Sequence, residues 1–219
     1  MQIKRLILQT SRLEELTNFY MQLMELPVEL SGDKQMTARI GSTELVFQQA
    51  PAADPFYHFA INIPANKIEE ARIWLKERVE LIWMEQYSSD IADFVDWHAK
   101  SVYFYDAAGN ILELIARFDL DNKTVETFSS RQFLCISEIG FVFRQDDLEI
   151  NTRNLMERYH FSYFEKQSPL PQFKAIGDDD GLLIVVPEHR NWFPTTIPSG
   201  IFPIKLEFES RGTEYALTL

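Results

Sequence analysis

Apolar residues recur at spacings of three and four in three stretches: RLEELTNFYMQLMELPVEL from Arg12, KIEEARIWLKERVELIWME from Lys67 and DLEINTRNLMERYHFSYFE from Asp147. The stretches align without a gap. Leu13, Leu16, Tyr20 and Met24 match Ile68, Ala71, Leu75 and Val79, which match Leu148, Asn151, Leu155 and Tyr159. Such spacing gathers each set on one helix face, Asn151 being the exception. Ser11-x-x-Glu14, Asn66-x-x-Glu69 and Asp146-x-x-Glu149 stand at the same place in each copy and read as capping boxes, so Ser11, Asn66 and Asp146 are the expected N-caps.

Strand patterns surround each helix. KRLILQT, YHFAINIP and SEIGFVF precede the three helices. Short strands are expected after them, around Leu26–Leu30, Glu80–Glu85 and Phe161–Glu165. Two more strands close each unit: Met36–Ile40 with Glu44–Gln48, Ser101–Tyr105 with Asn110–Ala116, and Phe173–Ile176 with Leu182–Val186. Their turns are Gly41, Asp106–Gly109 and Asp178–Gly181. The unit is therefore βαβββ, repeated three times, and the class is α+β. Phe202–Phe208 adds one strand, and the polar, aperiodic Leu120–Gln132 reads as a linker. The expected organisation is two paired modules over 1–118 forming one cupped sheet, a linker over 119–130, and a third module with its extra strand over 131–219.

The repeat, with SVYFYDAAGNILELIAR closing its second copy and HFAINIPANKIEEARIWL opening it, resembles the vicinal oxygen chelate superfamily of glyoxalases, extradiol dioxygenases, and fosfomycin- and bleomycin-resistance proteins. The resemblance implies a metal site in the cup between two modules, with ligands on opening and closing strands. Matched residue by residue, His58 falls on an opening-strand ligand and Glu113 on a closing-strand ligand. An imidazole and a carboxylate suit Fe²⁺, Mn²⁺, Ni²⁺ or Zn²⁺. Module one matches Arg5 to the opening position, and its closing strand has no acid, Gln48 being the nearest polar residue. Module three has Glu138 at the same nine-residue offset before its helix as His58, and Val185 at the Glu113 position. His98 is a candidate third ligand. The function implied is a metal-dependent lyase or ring-cleaving dioxygenase acting on a small oxygen-rich molecule. The alternative is a metal-free binder whose pocket is lined by Arg5, Phe47, Trp97, His98, Lys100 and Tyr103. Bland readings stand beside these: Glu113 paired with Arg5 or Arg117, His58 as a core histidine, Arg5 and Lys100 as surface residues, and His189 and Arg190 as parts of a loop packed by Trp192.

Bulk properties narrow the classes. The formal net charge of −12 argues against nucleic-acid and anionic-membrane surfaces. No stretch approaches a membrane-spanning length. The single cysteine, Cys135, fits a reducing compartment and the expectation of a cytoplasmic protein. Walker A, G-x-G-x-x-G, H-E-x-x-H and G-x-S-x-G patterns are missing from the sequence. A lone third module would leave a sheet face uncovered, which leads to the expectation of a homodimer.

Overall fold

The computed structural model describes residues 1–50 and 54–219. Module one comprises β1 (Gln2–Thr10), α1 (Leu13–Asn18), β2 (Val28–Ser31), β3 (Gln35–Ile40) and β4 (Thr43–Gln49). Module two comprises β5 (His58–Ile63), α2 (Ile68–Lys76), β6 (Ile91–Phe94), β7 (Ala99–Tyr105) and β8 (Ile111–Arg117). Module three comprises β9 (Cys135–Phe143), α3 (Leu148–Tyr159), β10 (Lys174–Asp178) and β11 (Gly181–Pro187), and a hairpin of β12 (Lys205–Ser210) and β13 (Thr213–Thr218) follows. The α+β class and the repeated module are as expected. Two of the short strands differ. Around Glu80–Glu85 only single bridges form, with β6 later in the chain, and around Phe161–Glu165 one bridge, Tyr163 to Ile176, takes the place of a strand.

The three helices begin at Leu13, Ile68 and Leu148, the positions aligned by the repeat. Their caps do not follow the expectation. Arg12, Lys67 and Asp147 occupy the N-cap positions, and none gives a side-chain cap. Ser11 instead donates to Asp54, and Asn66 exchanges hydrogen bonds with the Thr124 backbone. The amide of Asn66 fastens the segment after β8 rather than the helix start.

In every module the closing strand lies parallel to the opening strand: β4 on β1, β8 on β5, β11 on β9. The modules then join differently from the expected order. One sheet runs β10-β11-β9-β5-β8-β7-β6, and the other runs β13-β12-β1-β4-β3-β2. Module two therefore pairs with module three, through antiparallel β5 and β9, and not with module one. Module one receives the β12–β13 hairpin along β1, where a single extra strand was expected. Module three's sheet is thus continued at its β9 edge within the same chain, and its Phe141, Ile176, Leu183 and Val185 pack into the core shared with module one, which covers the face from which a dimer was inferred.

The segment 119–130 is not a free linker. Asn122 accepts from the Ala65 backbone, and Phe128 packs edge-on against Trp74 of α2. It carries the chain across α2 to β9. One apolar core runs through both sheets, joining Leu6, Leu8, Phe47 and Phe208 with Phe59, Leu114, Phe141 and Val185. The sheets differ on their other faces. β5 and β8 are buried at every residue, as strands covered on both faces should be, whereas β1 alternates between buried and partly exposed residues.

Candidate metal centre

β5 lies between β8 and β9, and its small residue Ala60 pairs with Glu113 on one side and Glu138 on the other. Side chains two apart share a strand face, so His58 stands on the same face one step along β5. Three neighbouring strands thus aim one imidazole and two carboxylates at a common point. All three residues are buried, and one donor atom from each lies within 4.8 Å of the others. The alanine between the acids leaves the space.

Hydrogen bonds fix these groups. His58 Nδ1 lies 3.1 Å from the Ile111 carbonyl, which can only accept, so the proton sits on Nδ1 and the Nε2 lone pair is left over. Burial, with a smaller contribution from the Arg190 charge, lowers the His58 pKa to about 4, which keeps the ring neutral. Ser101 donates to Glu113 Oε1 at 2.5 Å, and Glu113 Oε2 lies 3.7 Å from His58 Nε2. Burial and then the neighbouring Glu138 push Glu113 up to about 8. Burial raises Glu138 as well, against the pull of Arg117. Arg117, fully buried, pairs with Glu138 through Nη2 and with Asp179 through Nη1 at 3.2 Å, while its Nε donates to Asn62. Glu138 is thereby held in one orientation.

The cluster forms the floor of a cavity of 260 Å³. Its walls are mostly aromatic, with Trp97, Tyr103, Phe173, Trp192 and Phe193 among them. Trp192 lies against the His58 ring at 5.2 Å between centroids. It fits there because β9 has Gly140 beneath it: a Cβ at that position would come within 2.4 Å of the indole. The loop bearing Trp192 is laced to the sheet and to itself, by Glu188 N to Phe143 O, His189 N to Ser199 O and Ser199 N to Arg190 O. A second recess, of 310 Å³ beside Phe161 and Lys166, has no comparable donor group among the described residues.

The donor set fits a divalent metal ion. It offers a neutral imidazole with a spare lone pair and two carboxylates close enough to repel one another, a repulsion that a cation would relieve. The fourth position of the pattern carries no ligand. Ile184 pairs with Gly140 as Glu113 pairs with Ala60, so Ile184 and not Val185 is the matching residue, and Val185 belongs to the apolar core on the other face.

Of the residues singled out in the sequence, His58, Glu113, Trp97 and Tyr103 meet in this cavity. The others lie elsewhere. Arg5 is on the far sheet, 3.5 Å from Glu44. Phe47 is in the shared core, stacked on Tyr20. His98 is exposed and bonded to Asp119 at 2.6 Å, and Lys100 pairs with Asp93 at 3.3 Å. Gln48 donates to Gln35. Arg5, Phe47 and Gln48 depart because the cup was assigned to modules one and two, whereas His98 and Lys100, although in module two, are turned to surface partners. Glu138 carried a visible signal, its offset before the third helix. Arg190, a site candidate within PEHRNWFPT, and Trp192, expected to pin that loop, line the cavity as well, whereas His189, the other candidate there, is exposed. Cys135 is half-buried and its thiol is pushed up to about 11, mainly by burial, so it is no nucleophile at neutral pH.

The fold is that of the glyoxalase and dioxygenase proteins of the vicinal oxygen chelate superfamily, as solved structures show. A candidate dioxygenase from Bacillus subtilis superposes with a TM-score of 0.59 at 15% identity, covering 91% of this chain. This chain spans 65% of that protein's length. Glyoxalase I from Zea mays superposes with a TM-score of 0.55 at 12% identity, over 90% of this chain and 70% of that one. No protein-family model and no curated protein matches the sequence. No helix among the described residues is long and apolar enough to cross a membrane.

Proposed function

We propose that His58, Glu113 and Glu138 hold one divalent metal ion, and that the chain acts on a small oxygen-rich molecule as a metal-dependent lyase or ring-cleaving dioxygenase. The observation that carries this reading is the placement of Ala60 between the two glutamates with His58 on the same face. When bound, such an ion supplies Lewis-acid polarisation of substrate oxygens or, if redox-active, a site for O₂ chemistry. The chain's own residues do the rest. The Ile111 carbonyl fixes the imidazole tautomer, Ser101 orients Glu113, and Arg117 orients Glu138. The largely apolar walls lower the local dielectric, which strengthens charge interactions at the buried end of the cavity.

A second reading, a metal-free binder of small molecules, is favoured by one observation: Arg117 already supplies a cation to Glu138. The two part on turnover. Protein stripped of metal and reloaded anaerobically with Fe²⁺, Mn²⁺, Ni²⁺ or Zn²⁺ is offered catechols, with O₂ uptake followed, and hemithioacetals of 2-oxoaldehydes, with thioester formation followed. Turnover in one assay that disappears in Glu138→Gln supports the enzyme. Binding of these compounds without turnover under any metal supports the binder.

A further inference from the structure

Arg190 is the charged group that the site leaves unused. It lines the cavity, and it also lines an outer recess of 580 Å³ bounded by Trp83, Phe193 and Pro194, so it stands at the cavity mouth. Its guanidinium carbon lies 5.2 Å from the centroid of the Phe173 ring, within cation–π range of that aromatic wall. Among the described residues it has no carboxylate partner; its one hydrogen bond is from Nη1 to the Asn191 carbonyl, at 3.1 Å. Its neighbours His189 and Ser199 tie its backbone into the laced loop, so the side chain starts from a fixed base.

A half-buried arginine without an acid is costly unless an anion arrives. With Nη1 engaged, the edge formed by Nε and Nη2 remains, and two parallel N–H groups match the two oxygens of a planar carboxylate. Charge balance points the same way. A divalent ion would offset Glu113 and Glu138, and Arg117 with Lys166 is already matched by Asp179 and Asp119, leaving one positive charge, on Arg190. That favours a monoanion over a doubly charged phosphate. The cavity is smaller than a typical drug-sized pocket of roughly 300–1,000 Å³, so the body of the ligand is small, and its walls call for an apolar or aromatic one.

We infer that Arg190 is the specificity-determining residue of this cavity, gripping the carboxylate of a small aromatic or apolar monocarboxylic acid whose body lies over His58, Glu113 and Glu138. The inference rests on the cavity being the substrate site, as proposed above; the count that favours a monoanion includes the metal ion, whereas the free edge of Arg190 is present with or without it.

Benzoate and its neutral analogue benzamide are the probes, titrated into metal-stripped and Mn²⁺-loaded protein. Quenching of the cavity tryptophans, Trp97 and Trp192, reports binding. Wild-type protein should prefer benzoate by about ten-fold or more in both forms, as a charge-assisted contact requires. Arg190→Met should bring the ratio to about one while still binding Mn²⁺, and Arg190→Lys should restore part of it. A preference that survives in Arg190→Met overturns the inference, as does one that appears only with Mn²⁺, since the ion would then be the anchor. Failure of benzoate to bind wild-type protein at about 10 mM also overturns it. Failure of wild-type protein to bind Mn²⁺, with the Arg190-dependent preference intact, would instead overturn the metal reading alone.

Discussion

The same βαβββ unit opens both sheets, yet the two sheets present opposite outer faces. Around β1 the face turned from the core is wet. Arg5 and Arg39 share Glu44, and Lys4 meets Glu209, all partly exposed. Around β5 the corresponding face is dry, and it contains His58, Glu113, Glu138 and Arg117, each nearly or fully buried. The difference lies in what joins the opening strand and what covers it. β1 receives a two-stranded hairpin, whereas β5 receives a second module whose loops bring Phe164, Phe173 and Trp192 over the sheet. A charge on the first face is solvated and replaceable. A charge on the second must be matched inside the protein or by a ligand.

The largest expected effect follows from that contrast. Arg117→Met strands Glu138, leaves Asp179 to Lys166 alone, and should cost about 3–5 kcal/mol in urea unfolding. A cost below about 1 kcal/mol would place the dry face on the same footing as the wet one.

The seam between the sheets has its own buried acid. Asp106, in the turn between β7 and β8, accepts from Tyr20 of module one and from Asn110. Burial outweighs these donors and raises its pKa from 3.8 to about 6. The folded value lies above the unfolded one, so this stabilisation is complete below about pH 4 and is lost as pH rises through 6. Raising the pH from 4 to 7 should therefore cost wild-type protein about 2 kcal/mol more than Asp106→Asn. Equal pH slopes in denaturant titrations would remove Asp106 from the account.

Gly140→Ala tests the roof. The new methyl meets Trp192, so a loss of about 1–3 kcal/mol is expected, with a changed near-ultraviolet dichroism of the tryptophans. An unchanged spectrum would mean that Trp192 is not held against β9. Arg5→Met, on the wet face, should cost within about 1 kcal/mol by the same unfolding assay.

How far the sequence reached is visible in particular residues. Helical periodicity located the three helices, because packing of Leu13, Ile68 and Leu148 fixes their faces, while the starts fall one residue later than the expected caps Ser11, Asn66 and Asp146 imply. His58 and Glu113 were legible because an ionisable residue within an apolar strand is conspicuous. The pairing of modules was not. Any opening strand can present its edge to any other, and nothing local in β1, β5 or β9 says which pair will meet. Leu120–Gln132 looked like a boundary because it is polar, although Asn122 and Phe128 bind it to module two. Arg5 was assigned to the cup through that same choice of partner. Glu138 had the right offset and gained its meaning only when β9 was seen beside β5.

The central claim, that the dry face is a metal site built by modules two and three, is tested most directly by Mn²⁺ titration of metal-stripped protein with calorimetric detection. The account predicts one ion per chain, binding abolished by His58→Ala and by Glu138→Gln, and binding unaffected by His98→Ala or Arg5→Met. An unbound wild-type protein, or binding that survives Glu138→Gln and fails in His98→Ala, would contradict it.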